Sequence, residues 1–190
     1  LEVVRAPIMV CLDAIAGTIW AIYEVGLGVL NPFPSPADAV WFLFYVAGIS
    51  GLGYAVKRVW NLLRWKHVLV VFVGWLVLLV VTYLYSLKQI FADPTYSLLL
   101  KALSVQYPVG DLFLLLLAAI VFTTLRRGVY GPSWLAFIIG YFVYGIADLV
   151  YTFYLYTGAY RTGQLTDLLW YVAQLLFVYG FYQQAKILRQ

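Results

Sequence analysis

Charged side chains are scarce in this sequence. Only 11% of its 190 residues are Asp, Glu, Lys or Arg and 65% are hydrophobic, whereas about 25% of the residues in ordinary soluble proteins are charged. A soluble domain of this size could not bury so many apolar side chains, so that class is excluded. Several apolar runs reach the roughly 20 residues that a helix needs to cross a bilayer. The composition therefore indicates a helical membrane protein whose surroundings are the lipid bilayer.

Histidine and cysteine are almost absent, with one residue of each. A single cysteine cannot form an internal disulfide, and one His and one Cys on separate segments match no zinc-binding spacing. His67 falls at the opposite end of its apolar segment from the acidic residues, so a Ser-His-Asp triad cannot form. We therefore expect neither a metal site nor an enzyme, and the sequence indicates no particular cofactor.

Six apolar segments are long enough to span a bilayer as helices. They are residues 3–27, 37–56, 68–87, 109–125, 134–156 and 165–188. Ser35, Pro36 and Asp38 have the spacing of a capped helix start, and Tyr107-Pro108 is expected to begin the fourth span similarly, after a short separate helix at 96–103. The predicted fold is one all-α domain, residues 1–190, forming a polytopic bundle of six transmembrane helices.

Basic residues are confined to short loops, and their distribution predicts the orientation of the chain. A net charge of +4 spread over such loops does not form the basic patch that binds nucleic acid. Lys and Arg in short loops are retained on the cytoplasmic side. They are concentrated before the first span and after the second, fourth and sixth spans, at Arg5, Lys57, Arg58, Arg64, Lys66, Arg126, Arg127, Lys186 and Arg189. We expect a multi-pass protein of the cell membrane with both termini in the cytoplasm.

An acidic residue recurs near the predicted start of each even-numbered span. Asp38 precedes Trp41 by three residues, Asp167 precedes Trp170 by three, and Asp111 occupies a looser equivalent position. The preceding odd-numbered spans echo one another as well, because Asp13 and Asp148 are each followed by aromatic residues. The pattern predicts three helical hairpin repeats around a shared interior.

Three short motifs, one before each even-numbered span, carry a resemblance to a known class of membrane region. They are Pro34-Ser35-Pro36-Ala37-Asp38-Ala39, Tyr107-Pro108-Val109-Gly110-Asp111-Leu112 and Leu165-Thr166-Asp167-Leu168-Leu169-Trp170. Together they resemble the multi-pass transmembrane sensor region that precedes diguanylate cyclase, phosphodiesterase or histidine kinase output domains in bacterial signalling proteins. The resemblance covers nearly the whole chain. It implies a sensing role with a cytoplasmic signalling partner and names no ligand.

Asp13 and Asp148 fall inside apolar spans. A carboxylate at bilayer depth costs about 3 kcal/mol on insertion scales, so each should face the bundle interior and find a partner, or be protonated. Two interpretations stay open. Each residue belongs to a functional site, or each is a neutral acid that hydrogen-bonds a facing tyrosine or carbonyl and holds the helices together.

Asp38, Asp111 and Asp167 are expected at the outer starts of helices, where a carboxylate complements the helix dipole. Alternatively, these carboxylates and their aromatic neighbours line an outward-opening pocket for a cation or a polar ligand. The neighbours in question are Trp41, Tyr107 and Trp170. Glu24 lies near the same level and could join them, and Arg161 is the available counter-ion for Asp167.

These observations favour a non-enzymatic membrane sensor or ligand-binding domain that responds to a small molecule or a proton. The alternative is a small transporter, or a membrane subunit of a larger complex, in which Asp13 and Asp148 relay protons or bind substrate. The expected partners are the lipid bilayer, a small-molecule ligand, and either a cytoplasmic signalling protein or a larger membrane complex.

Overall fold

A computed structural model describes residues 6–189, and this part of the chain folds into six membrane-length helices joined by short loops. We number the helices by span. Helix α1 is Ala6–Ala21, extended by a π-helical turn at Ile22–Gly26, and α2 is Pro36–Val59. Helix α3 is Trp65–Thr82, extended by Tyr83–Leu87 and Lys88–Ala92. Helices α4, α5 and α6 are Leu98–Leu125, Gly131–Tyr156 and Leu165–Leu188.

The predicted all-α class and the six spans are confirmed. Each of the six helices is long and apolar enough to cross a membrane, and each predicted segment overlaps one of the observed helices. The start of α2 also forms as predicted. The Ser35 hydroxyl accepts from the backbone N–H of Ala37, and the Asp38 carboxylate accepts from the N–H of Ser35, which satisfies backbone donors that a helix start leaves free. Arg5 lies outside the described residues.

The predicted start of the fourth helix was wrong. Helix α4 begins at Leu98, where the Ser97 hydroxyl accepts from the N–H of Leu100, and it runs without a break through Pro108. There is therefore no separate short helix at 96–103. A proline removes one backbone donor, which a transmembrane helix tolerates because neighbouring groups compensate for it. As a result, Asp111 lies 13 residues after Leu98, about 20 Å along the helix axis at 1.5 Å per residue.

Five of the helices form a ring, and α3 lies outside it. Helix α2 packs against α1 and α4, and α5 packs against α4 and α6, while α1 and α6 close the ring with fewer contacts. Helix α3 packs mainly on α4. Only 6% of the apolar stretch of α3 is buried within the bundle, compared with 50% of that of α5. The three hairpins are present, but they do not surround one interior with threefold symmetry.

The half of the ring near the α2–α3 and α4–α5 loops is closely packed around a cavity of only about 10 Å³. Its core includes Val59, Val121 and Trp134. Further along α5 and α6, Gly140 and Gly180 let the two helices approach closely, because a Cβ atom at either position would lie 2.6 Å from a facing phenylalanine ring. The opposite half, near the α1–α2 and α5–α6 loops, encloses a cavity.

Candidate functional site

The cavity has a volume of about 250 Å³ and lies between α1, α2, α5 and α6, with Tyr107 of α4 completing its wall. Six of the eight residues predicted from the sequence as ligand-binding line it: Asp13, Trp41, Tyr107, Asp148, Asp167 and Trp170. The other two predicted residues, Asp38 and Asp111, lie behind its wall. The lining also includes Gly17, Trp20, Ala21, Glu24, Val25, Tyr144, Tyr151, Tyr160, Thr162, Tyr171 and Gln174.

Asp13 is held by donors from three other helices. One carboxylate oxygen accepts from the indole N–H of Trp41 at 2.9 Å and from the hydroxyl of Tyr144 at 3.0 Å. The other oxygen accepts from the side-chain amide of Gln174. The side chain is 6% exposed. This intramembrane acid thus has the interior partners that its depth requires, and it connects α1 to α2, α5 and α6.

Asp148 has an arrangement that mirrors that of Asp13. It accepts from the indole N–H of Trp170 at 2.6 Å and from the hydroxyl of Tyr45 at 2.8 Å. In each case the tryptophan comes from the next helix of the same hairpin. The second donor lies four residues after a tryptophan, on the opposite hairpin: Tyr45 follows Trp41 and serves Asp148, whereas Gln174 follows Trp170 and serves Asp13. The equivalence of the first and third hairpins therefore extends to their hydrogen bonds.

Asp38 supports the cavity wall without reaching the cavity. It is 1% exposed and lies in the first turn of α2, as predicted. Its carboxylate accepts from the backbone of Ser35 and from the hydroxyl of Tyr107. Since Tyr107 lines the cavity, Asp38 orients a lining side chain and fixes the start of α2 against α4.

Asp111 does not lie at a helix start. It is 4% exposed, and one of its oxygens accepts from the hydroxyl of Tyr45 at 3.0 Å. The other oxygen meets no N–H or hydroxyl donor among the described residues, and the side chain lies within hydrogen-bonding reach of the Asp148 carboxyl group. Gly145 makes room for this side chain, because a Cβ atom there would lie 3.3 Å from the Cβ of Asp111.

Tyr45 consequently bridges two carboxyl groups from different helices. Its oxygen lies 3.0 Å from Asp111 and 2.8 Å from Asp148. A phenol has one proton and can donate to one acceptor at a time. The second contact is a hydrogen bond only when that carboxyl group is itself protonated. The two distances therefore fit one protonated and one ionised carboxyl group, with the Tyr45 hydroxyl hydrogen-bonded to both.

Asp167 closes the loop between α5 and α6 at the mouth of the cavity. It accepts from the Tyr160 hydroxyl at 3.0 Å and from the backbone N–H of Gly163 at 2.7 Å. Partial burial and the nearby carboxylates raise the pKa of Tyr160, which keeps it a neutral donor. Arg161, the expected counter-ion, does not pair with Asp167. Its guanidinium donates instead to the backbone carbonyls of Gly158 and Tyr160.

Glu24 joins the site. It accepts from the indole N–H of Trp20 at 3.0 Å and from the hydroxyl of Thr162 at 2.6 Å. These bonds tie the end of α1 to the α5–α6 loop. Together with Asp13, Asp148 and Asp167, Glu24 gives the cavity four carboxyl groups, whereas the lining residues that the structure describes include no Lys, Arg or His.

Aromatic rings form a connected wall around this space. The centroids of Trp41 and Trp20 lie 5.8 Å apart, those of Trp20 and Tyr151 6.3 Å, and those of Tyr151 and Trp170 5.5 Å. The ring planes meet at 57°, 76° and 64°. Rings at such angles pack edge to face or obliquely rather than in a stack. We call these four rings, all of which line the cavity, the aromatic box.

Sequence reasoning missed several lining residues, and helical spacing could have found some of them. Tyr144 and Tyr151 lie four residues before and three residues after Asp148, which places all three on one face of α5. Gln174 lies one turn after Trp170 on α6, at the position equivalent to Tyr45.

The chain matches no protein-family model, no curated protein and no solved structure. Its class therefore follows from its own fold and composition: it is a multi-pass, all-helical membrane protein. Among the described residues, no group of three or more His, Cys, Asp or Glu side chains is placed to hold a metal ion.

Proposed function

We propose that this protein is a non-enzymatic membrane domain that binds a small molecule in the cavity and senses its presence. The observation that carries the proposal is the cavity itself, lined by hydrogen-bonded carboxyl groups and by a connected aromatic wall. Its volume of about 250 Å³ lies below the range of about 300–1,000 Å³ typical for drug-sized ligands. The ligand is therefore small, or only its head group enters.

Binding is expected to change helix packing through the two intramembrane acids. Asp13 and Asp148 each join helices of the first and third hairpins. A ligand that competes for their tryptophan or glutamine donors favours a different arrangement of α6 relative to α1 and α2. A shift of this kind requires the ligand to bind one arrangement more tightly than the other. Helix α6 carries the change to its end near Lys186, where a cytoplasmic signalling partner would respond.

A non-enzymatic role also fits the two facing carboxyl groups. Aspartic hydrolases use such a pair to activate a water molecule, and the pair shares one proton. Here the hydroxyl of Tyr45 contacts both Asp111 and Asp148. In a hydrolase of that kind a water molecule, rather than a protein hydroxyl, would contact both carboxyl groups.

The cavity can be tested with a variant that blocks it. Gly17 lines the cavity, and a Cβ atom there would meet nothing within 4 Å, so Gly17→Phe should fill the space without disturbing helix packing. Gly74→Phe is the matched control, because Gly74 of α3 is equally unobstructed and does not line the cavity. The assay is a thermal-unfolding screen of purified protein against small polar and charged molecules. At least one compound should stabilise the wild type and Gly74→Phe but not Gly17→Phe. Equal stabilisation of both variants, or none of the wild type, would refute the proposal.

The proposed orientation places the α5–α6 loop outside the cell and the α4–α5 loop in the cytoplasm. Ala159 and Arg127 are exposed residues of these two loops. In a Cys11→Ser background, a cysteine introduced at Ala159 should react with a membrane-impermeant maleimide in intact cells. One introduced at Arg127 should react only after the membrane is opened. The reverse pattern would overturn the orientation.

A small transporter is the second candidate, and one observation favours it. The chain of contacts from Asp148 through Tyr45 to Asp111 leads from the main cavity to a smaller one, of about 70 Å³, between α3, α4 and α5. If this chain carries protons, Asp148→Asn should abolish proton flux into liposomes while the protein remains folded. A sensor would show no flux in either form.

A further inference from the structure

We propose that the cavity selects an organic ammonium ion, meaning a quaternary or protonated amine. This inference rests on the proposed function, because it assumes that the cavity binds a ligand. It adds the chemical class of that ligand, argued from the charge, the rings and the opening of the cavity.

The charge of the lining favours a cation. Asp13, Glu24, Asp148 and Asp167 contribute carboxyl groups, and no described lining residue is basic. The nearest arginine in the adjoining loop, Arg161, directs its guanidinium to backbone carbonyls. An anionic ligand would meet acidic groups without a balancing charge, whereas a cation is attracted by them.

The aromatic box supplies the second element of ammonium recognition. Tryptophan and tyrosine rings attract a cation placed over their faces, and such cages are the common means of binding quaternary ammonium groups. Trp20, Trp41, Tyr151 and Trp170 meet one another at steep angles. All four rings line the same cavity of about 250 Å³, so a cation bound there lies beside several aromatic rings.

A bare metal ion fits the site less well. The oxygens of Asp13 and Asp148 already accept hydrogen bonds from tryptophan, tyrosine and glutamine donors. A metal ion needs several free oxygen ligands at short distance. An alkylated ammonium group needs no such oxygen ligands, since it interacts with the aromatic rings and with the nearby carboxyl groups of the lining.

The cavity also opens at the side, where α1 and α6 make few contacts. Gly17 and Ala21 of α1 and Tyr171 of α6 are exposed and line this opening. An ammonium group could reach the box as a free solute or as the head of an amphiphile whose alkyl chain remains between the helices. The two sources share the same chemistry, and the experiment separates them.

The experiment measures binding by the quenching or shift of tryptophan fluorescence in uncharged maltoside micelles, since three tryptophans line the cavity. The probes are choline, its uncharged isostere 3,3-dimethylbutan-1-ol, and hexyltrimethylammonium. We expect choline to bind at least about tenfold more tightly than the isostere, as cation–π and charge attraction in a partly desolvated site would give.

Two variants connect this selectivity to the cavity. Glu24→Gln removes one lining charge while keeping the shape of the side chain, and it should weaken choline binding roughly three- to tenfold. Asp93→Asn is the matched control, since it makes the same charge change in another loop at the same end of the bundle, outside the lining. If Glu24→Gln fails to fold, Trp20→Leu replaces it, with the exposed Trp65→Leu as its control.

Tighter binding of hexyltrimethylammonium than of choline would support an amphiphile as the source, and equal binding would support a free solute. Isostere binding as tight as that of choline would overturn the inference, and so would an equal effect of Asp93→Asn and Glu24→Gln. Either result leaves the proposed function intact if a compound from the thermal screen still requires an open cavity. Failure of that screen would instead remove the proposed function.

Discussion

Removing one oxygen atom in Tyr45→Phe tests the bridge between the buried carboxyl groups of α4 and α5. The Tyr45 hydroxyl is the donor that the structure shows for Asp111, whose other oxygen meets no N–H or hydroxyl donor among the described residues. The variant therefore removes the hydroxyl donor from a side chain that is 4% exposed, and leaves it with the Asp148 carboxyl group as its hydrogen-bonding neighbour. Asp148 keeps its bond from Trp170. A buried polar group that loses its partner costs about 1–3 kcal/mol, and we expect the free energy of unfolding to fall by that amount.

Tyr141→Phe is the matched control for this experiment. Tyr141 is a buried tyrosine of α5 whose hydroxyl donates to the sulfur of Met9 at 3.4 Å. Sulfur is a weak acceptor, so this deletion should cost less than about 1 kcal/mol. Both variants keep the aromatic ring and its packing. The difference between them therefore isolates the two carboxyl contacts.

The assay is an SDS titration of the protein in mixed micelles, followed by far-UV circular dichroism. A cost for Tyr45→Phe no larger than that for Tyr141→Phe would refute the bridge. The double variant Tyr45→Phe/Asp111→Asn supplies a second check. An asparagine amide can donate to Asp148 as a protonated carboxyl would, so the double variant should regain part of the lost stability, and a purely additive loss would contradict the shared proton.

Three further outcomes are expected. Gly110→Ala should lower the free energy of unfolding by about 1–3 kcal/mol in the same titration, because the new Cβ would overlap the Tyr45 ring. Gly74→Ala is the control and should not destabilise the protein, because its new Cβ lies in open space. Trp170→Phe removes an indole donor to a buried carboxylate and should cost about 1.5–3 kcal/mol; a cost near zero would mean that the bond does not form. Hydrogen bonds from the side chain and the backbone N–H of Thr95 lower the pKa of Asp93. Its stabilising effect is thus present above the ordinary pKa of Asp and is lost as the pH falls through the lowered value, so Asp93→Asn should flatten that acid dependence of the melting temperature.

The sequence predicted the fold where local chemistry decides it. The capped start at Ser35, Pro36 and Asp38 forms as expected, because all its contacts lie within one helical turn. The start of α4 could not be placed by the same reasoning. Pro108 fits a first turn or the interior of a lipid-embedded helix equally well, and the choice depends on packing around it. Ser97 was the local signal that the prediction overlooked.

Part of the site was also predictable from local features of the sequence. Asp13 and Asp148 stand out because acids are costly within apolar spans, and the structure places both at the cavity. Their partners from the opposite hairpin, Tyr45 and Gln174, depend on how distant helices are rotated about their axes. No single-helix pattern contains that information. The repeat contained it indirectly, since both partners lie four residues after equivalent tryptophans.

The exchange of donors between the first and third hairpins has a consequence for how the protein is made. When the first hairpin leaves the ribosome, Trp41 is already available to Asp13, but Tyr144 and Gln174 belong to the last two helices. Until α5 is inserted, this carboxylate lacks two of its three hydrogen-bond partners, and until α6 is inserted it still lacks Gln174. The hydrogen bonds of Asp13 in α1 are therefore complete only after α6 has been synthesised. A chain cut before residue 165 should remain a target for membrane quality-control proteases.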